Sequence, residues 1–503
     1  MNNTNNKFSI GLMIIISALV GCAAEEQEPS ETDLALDEII TEQSLDEIGN
    51  DSPGFPDIND PIPQLGMKLF FSKSLGGDFD SACVTCHHPM LGGTDKLSLP
   101  VGVGAVSPDV LGPGRVHVDG LPLVPRNAPT IFNVALWDTG LFWDSRVESI
   151  GKEPQANGSL SGIRTPDTEH GVIDAEAGAN LAAAQVRFPV TSVEEMKGET
   201  FENGNENATI RDHLEARIGD YAEGQGELAV NGWLEEFQNA FVSSEAAESI
   251  ITFDNIAFAI GEYERSMVFT DNPWNAYVEG DLNAISEQQK QGATLFFTAV
   301  ADGGAGCSGC HNGALFSDGA HHTVAFPQIG PGKGDGPSAD DDYGRGRETG
   351  LDADRYRFRT PSLLNVAVTA PYGHSGAYQT LEEVVRHYVN PANTVENFFS
   401  RGAQCQLPQF ADIANCGELY PNSESNSEQA LQKLQAERRQ GVSLFQPVRL
   451  NNEQVQQIVV FLEALTDPCV EDRDCMSPWI PDTASLGPDE MQLNAKDNSG
   501  DFF

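Results

Sequence analysis

"CVTCH" (Cys83–His87) and "CSGCH" (Cys307–His311) are two copies of one five-residue motif. In Cys-x-x-Cys-His the two thiols add to the vinyl groups of haem, and the adjacent histidine is placed to bind the iron. A redox dithiol or half of a zinc site is the alternative for each copy. A zinc site needs four ligands close together, whereas these copies lie in different halves of the chain. The repeat therefore predicts two covalently bound haem c groups.

Each motif follows a similar helical phrase, "QLGMKLFF" (Gln64–Phe71) and "KQGATLFF" (Lys290–Phe297). In both, a glycine precedes a Leu-Phe-Phe run, and a loop then leads to the cysteines. This duplication indicates a repeated module. We expect a mainly α fold of two cytochrome c-like haem domains, in which helices pack on haem and are joined by long loops rich in glycine and proline.

The N-terminus has the pattern of an export signal. An apolar run from Ile10 to Val20 follows a lysine and leads through small residues to Cys22, which predicts a signal peptide over residues 1–21. The sequence "LVGC" resembles a bacterial lipobox, which implies that Cys22 is acylated; an ordinary secretory signal is the alternative. Ala23 is not an inner-membrane retention aspartate, so we expect a periplasm-facing outer-membrane anchor in a Gram-negative bacterium.

Residues 22–52 contain many Asp and Glu and no Lys or Arg. Such a composition buries too little apolar surface to offset the entropy of ordering, so we expect a disordered acidic tether. The whole chain carries a formal net charge of −46. That charge argues against binding nucleic acid and is compatible with basic protein partners. Membrane contact is expected through the lipid anchor only.

Four further cysteines form two short-range sets in a chain predicted to be exported. The simplest prediction is two disulfides, Cys405 with Cys416 and Cys469 with Cys475. Spacing alone does not prove this pairing, because four cysteines allow three connectivities.

Three longer phrases resemble the bacterial di-haem cytochrome c peroxidase superfamily, which includes the MauG-type protein-oxidising enzymes. They are "PRNAPTIFNVALWDTGLFWDSR" (Pro125–Arg146), "RFPVTSVEEMKG" (Arg187–Gly198) and "TAPYGHSGAYQTLEEVVRHY" (Thr369–Tyr388). The resemblance runs from about Pro63 to Pro481. It implies a peroxidatic haem domain over residues 53–250, an electron-transfer haem domain over 251–481 and an acidic tail over 482–503.

The resemblance also implies roles for individual residues. Peroxide would bind at the N-terminal haem, and the C-terminal haem would relay electrons to it through Trp143. Glu195 matches the carboxyl group that moves protons during cleavage of the O–O bond; Glu194 is its immediate rival. Asn127, Thr369 and Pro371 match positions that hold a calcium ion between the two domains, for which oxygen donors are suited.

Two positions depart from the usual peroxidase pattern. His117 is the nearest candidate for a histidine that caps the peroxidatic iron, but its surroundings fit poorly and a surface-loop histidine is favoured. Tyr388 falls where the peroxidases supply a methionine to the C-terminal haem, and a tyrosine there is typical of MauG-type enzymes. The helical pattern of Leu381–Val389 agrees, because it turns Tyr388 towards an apolar face and leaves His387 on the surface.

These features favour three functions. The first is a peroxidase that reduces hydrogen peroxide with electrons from a small donor protein, either a cytochrome c or a cupredoxin. The second is a MauG-type oxidase that uses peroxide to oxidise side chains of a partner protein. The third is a non-enzymatic electron carrier, which the glutamate segment disfavours. The resemblance also allows a homodimer.

Overall fold

The computed structural model describes residues 29–43, 45, 54–411 and 413–503. The predicted signal peptide and Cys22 lie outside the described residues. Among the helices of the described ranges, none is both long and apolar enough to cross a bilayer.

The described chain is mainly helical, with short antiparallel strands and long irregular loops, as the sequence predicted. The helices are α1 Glu31–Gln43, α2 Pro61–Phe71, α3 Leu181–Val186, α4 Asn207–Gly219, α5 Trp233–Phe241, α6 Ala247–Ile250, α7 Phe253–Arg265, α8 Pro273–Val278, α9 Glu287–Phe297, α10 Arg345–Thr349, α11 Leu381–Val389, α12 Pro391–Ser400, α13 Cys416–Leu419, α14 Ser423–Gln440, α15 Asn452–Glu463 and α16 Arg473–Met476. The strands are β1 Gly140–Leu141, β2 Val147–Ser149, β3 Ile163–Arg164, β4 His321–His322 and β5 Phe358–Arg359; β1, β2 and β3 form one sheet and β4 pairs with β5.

The core of the N-terminal half is built where α2 crosses α7. A Cβ on Gly66 would lie 1.9 Å from the carbonyl oxygen of Ala259, so only glycine allows the two backbones to touch here. Next to the crossing, the rings of Phe70 and Tyr263 pack with centroids 5.0 Å apart. Helix α2 ends immediately before the loop that leads to Cys83, so the crossing positions the first haem motif.

The C-terminal half repeats this arrangement with α9 and α15. A Cβ on Gly292 would lie 1.9 Å from the carbonyl oxygen of Gln457. The rings of Phe296 and Phe461 pack beside it with centroids 5.3 Å apart. The duplicated glycine and Leu-Phe-Phe phrases therefore occupy equivalent places, one in each half.

The division between the halves differs from the predicted boundary at residue 251. Helix α7 belongs to the N-terminal core because it is the partner of α2, and this core continues to Phe269, so the chain enters the C-terminal half only after that residue. The chain also returns to the N-terminal core near its end, where Val470, Met476 and Ile480 are buried. The Tyr263 hydroxyl donates a hydrogen bond to the carbonyl of Trp479 at 2.7 Å and ties this returning segment to α7.

The prediction of a disordered tether over residues 22–52 is wrong for residues 31–43, which form α1 on the surface of α9. The carboxylate of Asp33 lies 2.7 Å from the ammonium of Lys290 and accepts a hydrogen bond from the Tyr277 hydroxyl at 2.8 Å. Leu36 is fully buried against the C-terminal core. Although burial alone would raise it, the pKa of Asp33 is lowered by the hydrogen bonds from Lys290, Ser30 and Tyr277.

The acidic tail packs against the N-terminal half. The Asp489 carboxylate is buried and accepts hydrogen bonds from the hydroxyls of Ser72 and Ser74 and from the indole of Trp233. The backbone N–H of Leu493 donates to the carbonyl of Phe71 at 2.7 Å. The tail therefore buttresses the end of α2, close to the first motif.

The α2–α7 crossing yields a test of the fold. Gly66→Ala should lower the free energy of unfolding by about 3 kcal/mol, because the added methyl group forces two backbones apart. Urea unfolding followed by circular dichroism measures this change. Gly417→Ala is the matched control, since a Cβ there meets no atom within 4 Å; equal stability of the two variants would contradict the close crossing.

Candidate functional site

The second motif lies on the wall of a large cavity of about 780 Å³. Cys307 and Cys310 are free thiols that line this cavity together with His311. The Nδ1–H of His311 donates to the carbonyl oxygen of Phe316 at 2.9 Å, which leaves Nε2 as the nitrogen available to a metal. Burial lowers the pKa of His311, so the imidazole is held in the neutral form that binds iron. The cavity, the thiols and the imidazole together fit a haem c group.

Tyr388 lines the same cavity, on the face that α11 turns towards the second motif. Its ring contacts Phe445 and Phe326 edge-on, with centroids 5.2 and 6.0 Å away. Within the described part of the chain, its hydroxyl forms no hydrogen bond. Burial, followed by the nearby Cys310 and Cys307 thiols, raises the pKa of this phenol. A metal cation in the cavity would reverse that balance by stabilising the phenolate.

The prediction that His387 lies on the surface is wrong. The imidazole is fully buried, because α11 packs on both sides and not on one apolar face alone. Its Nε2–H donates to the carbonyl of Val324 at 2.8 Å, and Nδ1 accepts from the hydroxyl of Tyr378 at 2.8 Å. Burial lowers the pKa of His387 to about 4. Both ring nitrogens are occupied, so His387 is not available to iron.

The first motif lines a second, smaller cavity of about 90 Å³. Its thiols, Cys83 and Cys86, are free. The Nδ1–H of His87 donates to the carbonyl of Gly93 at 3.1 Å, and burial lowers the pKa of His87. This repeats the arrangement at His311, so the donor set again fits haem c.

Glu195 lies on the wall of this second cavity. A π-helical turn, Val193–Lys197, carries it there, and a Cβ on Gly102 would lie 2.3 Å from the Glu195 carbonyl. Glu194 is exposed and accepts a hydrogen bond from the Ser192 hydroxyl instead. Of the two adjacent glutamates, Glu195 is the one that lines the cavity together with the cysteines of the motif.

Two polar residues on the same wall were not singled out from the sequence. Gln185, on α3, lines the cavity with Glu195. Glu264, on α7, is buried there, and burial raises the pKa of its carboxyl group to about 8. Neither lies in a recognisable motif, and only the packing of α3 and α7 against the first motif brings them to the cavity.

Trp143 lines both cavities. Its indole N–H donates to the carbonyl of Asn127 at 2.9 Å, and its own carbonyl accepts from the N–H of Arg359 at 2.8 Å. The tryptophan is thus held between the first motif and the second by residues of both halves.

The three residues predicted to hold calcium all line the wall of the large cavity. The Asn127 side-chain amide donates to the carbonyl of Leu97 at 2.8 Å, and the Thr369 hydroxyl donates to the carbonyl of Val366 at 3.1 Å. Pro371 follows Thr369 after a cis peptide bond from Ala370. The chain therefore places these candidate oxygen donors at the junction of the halves.

His117 lines neither of the two cavities. It is buried, in contrast to the predicted surface position, because Ala105 pairs with it across the loop. Its Nδ1 accepts from the backbone N–H of Asp119 at 3.1 Å.

The two predicted disulfides, Cys405–Cys416 and Cys469–Cys475, are both formed.

The chain is similar to known proteins. The model of the di-haem cytochrome c peroxidase family matches residues 62–283. The methylamine utilization protein MauG of Methylorubrum extorquens AM1 is 29% identical over 327 residues, which are 65% of this chain and 67% of that protein. The cytochrome c551 peroxidase of Pseudomonas aeruginosa PAO1 is 29% identical over 328 residues, 65% of this chain and 71% of that protein.

A solved structure has the same fold. It is that of a MauG-like protein associated with microbial copper homeostasis, with a TM-score of 0.53 and 21% identity. The match covers 86% of this chain and 98% of that chain.

The two motifs generate a direct prediction. The exported holoprotein should carry two haem groups per chain, and the double variant Cys83→Ser/Cys86→Ser should carry one. Intact-protein mass and the pyridine haemochrome spectrum measure the number. Cys405→Ser/Cys416→Ser, which removes a disulfide, should retain two; a wild-type protein without covalent haem would contradict the assignment.

Proposed function

We infer that this chain is a member of the bacterial di-haem cytochrome c peroxidase and MauG superfamily, and we propose that it reduces hydrogen peroxide to water with electrons from a small donor protein. The observation that carries the proposal is the position of Glu195. It lies in the same cavity as Cys83, Cys86 and His87. An acid–base group beside the haem motif is what peroxide cleavage requires, whereas an electron carrier needs none.

The reaction consumes one peroxide, two electrons and two protons and yields two waters. Cys83, Cys86 and His87 would hold the haem, whose iron would supply the redox chemistry for peroxide reduction. Glu195 takes the proton from the near oxygen of peroxide and delivers it to the leaving oxygen. Gln185 lies on the same wall and can hold the peroxide in place through its side-chain amide.

We further propose that electrons enter at the C-terminal half and pass through Trp143 to the N-terminal half. The support for this route is that Trp143 lines both cavities and is hydrogen-bonded to Asn127. A fixed aromatic ring between the two haem sites shortens the path that an electron must cross. The donor, a small cytochrome or cupredoxin, would approach the half that contains Cys307 and Cys310.

A MauG-type activity is the second candidate, and Tyr388 favours it. A phenolate ligand at the C-terminal haem favours oxidised iron over reduced iron, compared with methionine. The support is that the phenol lines the cavity of the second motif without a hydrogen-bond partner in the described ranges. In that activity, peroxide would serve to oxidise side chains of a partner protein.

We also propose a calcium site, a location at the outer membrane and an oligomeric state. Asn127, Thr369 and Pro371 would hold one calcium ion where the halves meet, because they share one cavity wall and present oxygen donors. Acylation of Cys22 would anchor the protein on the periplasmic side of the outer membrane. A homodimer is compatible with the proposal.

Glu195 is tested by replacing its acid–base function and keeping its shape. Glu195→Gln should lower the rate of peroxide reduction by a factor of about 10² to 10⁴, because an amide cannot transfer the proton. Stopped-flow oxidation of a reduced small cytochrome by peroxide measures the rate. Glu194→Gln, at the exposed neighbour, should retain the wild-type rate. Equal rates in both variants would remove Glu195 from the mechanism.

Tyr388 is tested through the potential of one haem. Tyr388→Met should raise the reduction potential of the C-terminal haem, because a neutral ligand stabilises oxidised iron less than a phenolate does. Spectroelectrochemical titration measures the potential. Tyr372→Phe, which removes a hydroxyl from the same cavity wall, is the control and should leave the potential unchanged. An unchanged potential in Tyr388→Met would mean that the phenol only packs in the core.

A further inference from the structure

Three cationic side chains lie together on the wall of the cavity that contains the first motif: Arg126, Arg146 and Lys333. Two belong to the N-terminal half, and Lys333 comes from a loop of the C-terminal half. The chain has 29 Lys and Arg against 75 Asp and Glu, so a concentration of positive charge is unusual in this protein. Arg126 is buried and the other two cations are half-buried, so the cluster is stabilised only if negative charge lies next to it.

Two buried carboxylates neutralise part of this charge. Arg126 donates two hydrogen bonds to Asp342, both of 2.7 Å, and one of 2.5 Å to Asp144. Arg146 reaches the other oxygen of Asp144 only at 3.4 Å, and its guanidinium stacks 3.4 Å from the ring centroid of Phe142. Both carboxylates therefore form their short ion pairs with Arg126. Arg146 has only one longer ion pair, with Asp144.

The ammonium group of Lys333 forms no ion pair and no hydrogen bond with any described residue. Burial, together with Arg146 and Arg126, lowers its pKa. Two other carboxylates lie on the cavity wall, Glu195 and Glu264, and neither is within ion-pair distance of it. Lys333 is therefore a cation that lacks a partner within the described chain.

The loop around Lys333 holds this residue at the cavity. The backbone N–H of Lys333 donates to the carbonyl of Asp341 at 2.9 Å. Gly332 has φ +66°, and a Cβ there would lie 2.2 Å from the carbonyl of Asp340, so the loop folds tightly on itself. The end of the loop is fixed to the N-terminal half through the pair of Asp342 with Arg126. These contacts fix the backbone of Lys333 at the cavity, whereas the backbone of a lysine in a mobile surface loop would not be fixed.

We propose that Lys333 and Arg146 bind the propionate carboxylates of the haem that is attached to Cys83 and Cys86. A haem carries two propionates, which match the two poorly paired cations in number and charge. A loop of the C-terminal half would then complete the haem site of the N-terminal half. The inference rests on the proposed haem attachment and adds two positioning residues to it.

The consequence is measurable as a reduction potential. A propionate without its cation leaves negative charge beside the haem, which favours the oxidised state. In the full-length holoprotein, Lys333→Gln should therefore lower the midpoint potential of the N-terminal haem and leave that of the C-terminal haem unchanged. Spectroelectrochemical titration resolves the two transitions, and the N-terminal one is identified by its absence in Cys83→Ser/Cys86→Ser.

Two matched variants separate charge from structure. Lys333→Arg keeps the cation and should restore the wild-type potential. Lys152→Gln removes an exposed lysine of the N-terminal half and should shift neither haem. Loss of the N-terminal haem in Lys333→Gln but not in Lys333→Arg would also support the proposal.

An unchanged N-terminal potential in Lys333→Gln, with both haems bound, would overturn the proposal, and so would an equal shift of both haems. Loss of haem from Lys333→Arg as well as Lys333→Gln would overturn it too, because shape and not charge would then matter. A wild-type chain that lacks haem at Cys83 and Cys86 would instead contradict the proposed function.

Discussion

Backbone contact between crossing helices fixes where each haem motif stands. At Gly66 and at Gly292, any larger residue would place its Cβ 1.9 Å from a carbonyl oxygen of the facing helix. The close approach brings aromatic rings together behind each glycine, and their burial stabilises the crossing. In both halves the crossing helix ends just before the loop that carries the cysteines. The end of the helix therefore fixes where that loop, and with it the thiols, begins. This is why the same short phrase precedes both motifs.

Buried charges join the two halves at the point where both cavities meet. Arg126 of the N-terminal half pairs with Asp342 of the C-terminal half and with Asp144, next to Trp143. Such a network gains little net free energy, since desolvation of the ions offsets most of their attraction. Removing one member of a buried ion pair nevertheless lowers the free energy of unfolding by about 3–5 kcal/mol. The network therefore acts mainly on geometry: it holds the loop of Trp143 where the indole lines both cavities.

The sequence predicted those sites whose residues are close to one another along the chain. Cys83, Cys86 and His87 follow one another in the chain, and the same holds for the second motif, so spacing alone revealed them. The docking of α1 was missed because its burial depends on Lys290, a partner far away in the sequence. His387 was misassigned because a helical pattern reveals one apolar face and cannot show that the other face is covered too. Lys333 carried no local signal, since a loop of the other half brings it to its cavity.

The peroxidase and the MauG-type oxidase would use the same cavity, the same glutamate and the same tryptophan, so the difference between them lies in the second motif. There, Tyr388 is a half-buried phenol whose pKa is raised by its apolar surroundings and by the thiols of Cys310 and Cys307. A ferric iron held by His311 would supply the positive charge that makes ionisation of this phenol favourable. The resulting anionic ligand stabilises oxidised iron. A strongly reducing donor could still drive peroxide reduction, whereas a weakly reducing one would leave the oxidising power of peroxide to a partner side chain. Whether Tyr388 binds the iron would therefore decide whether the donor protein or the partner side chain loses electrons.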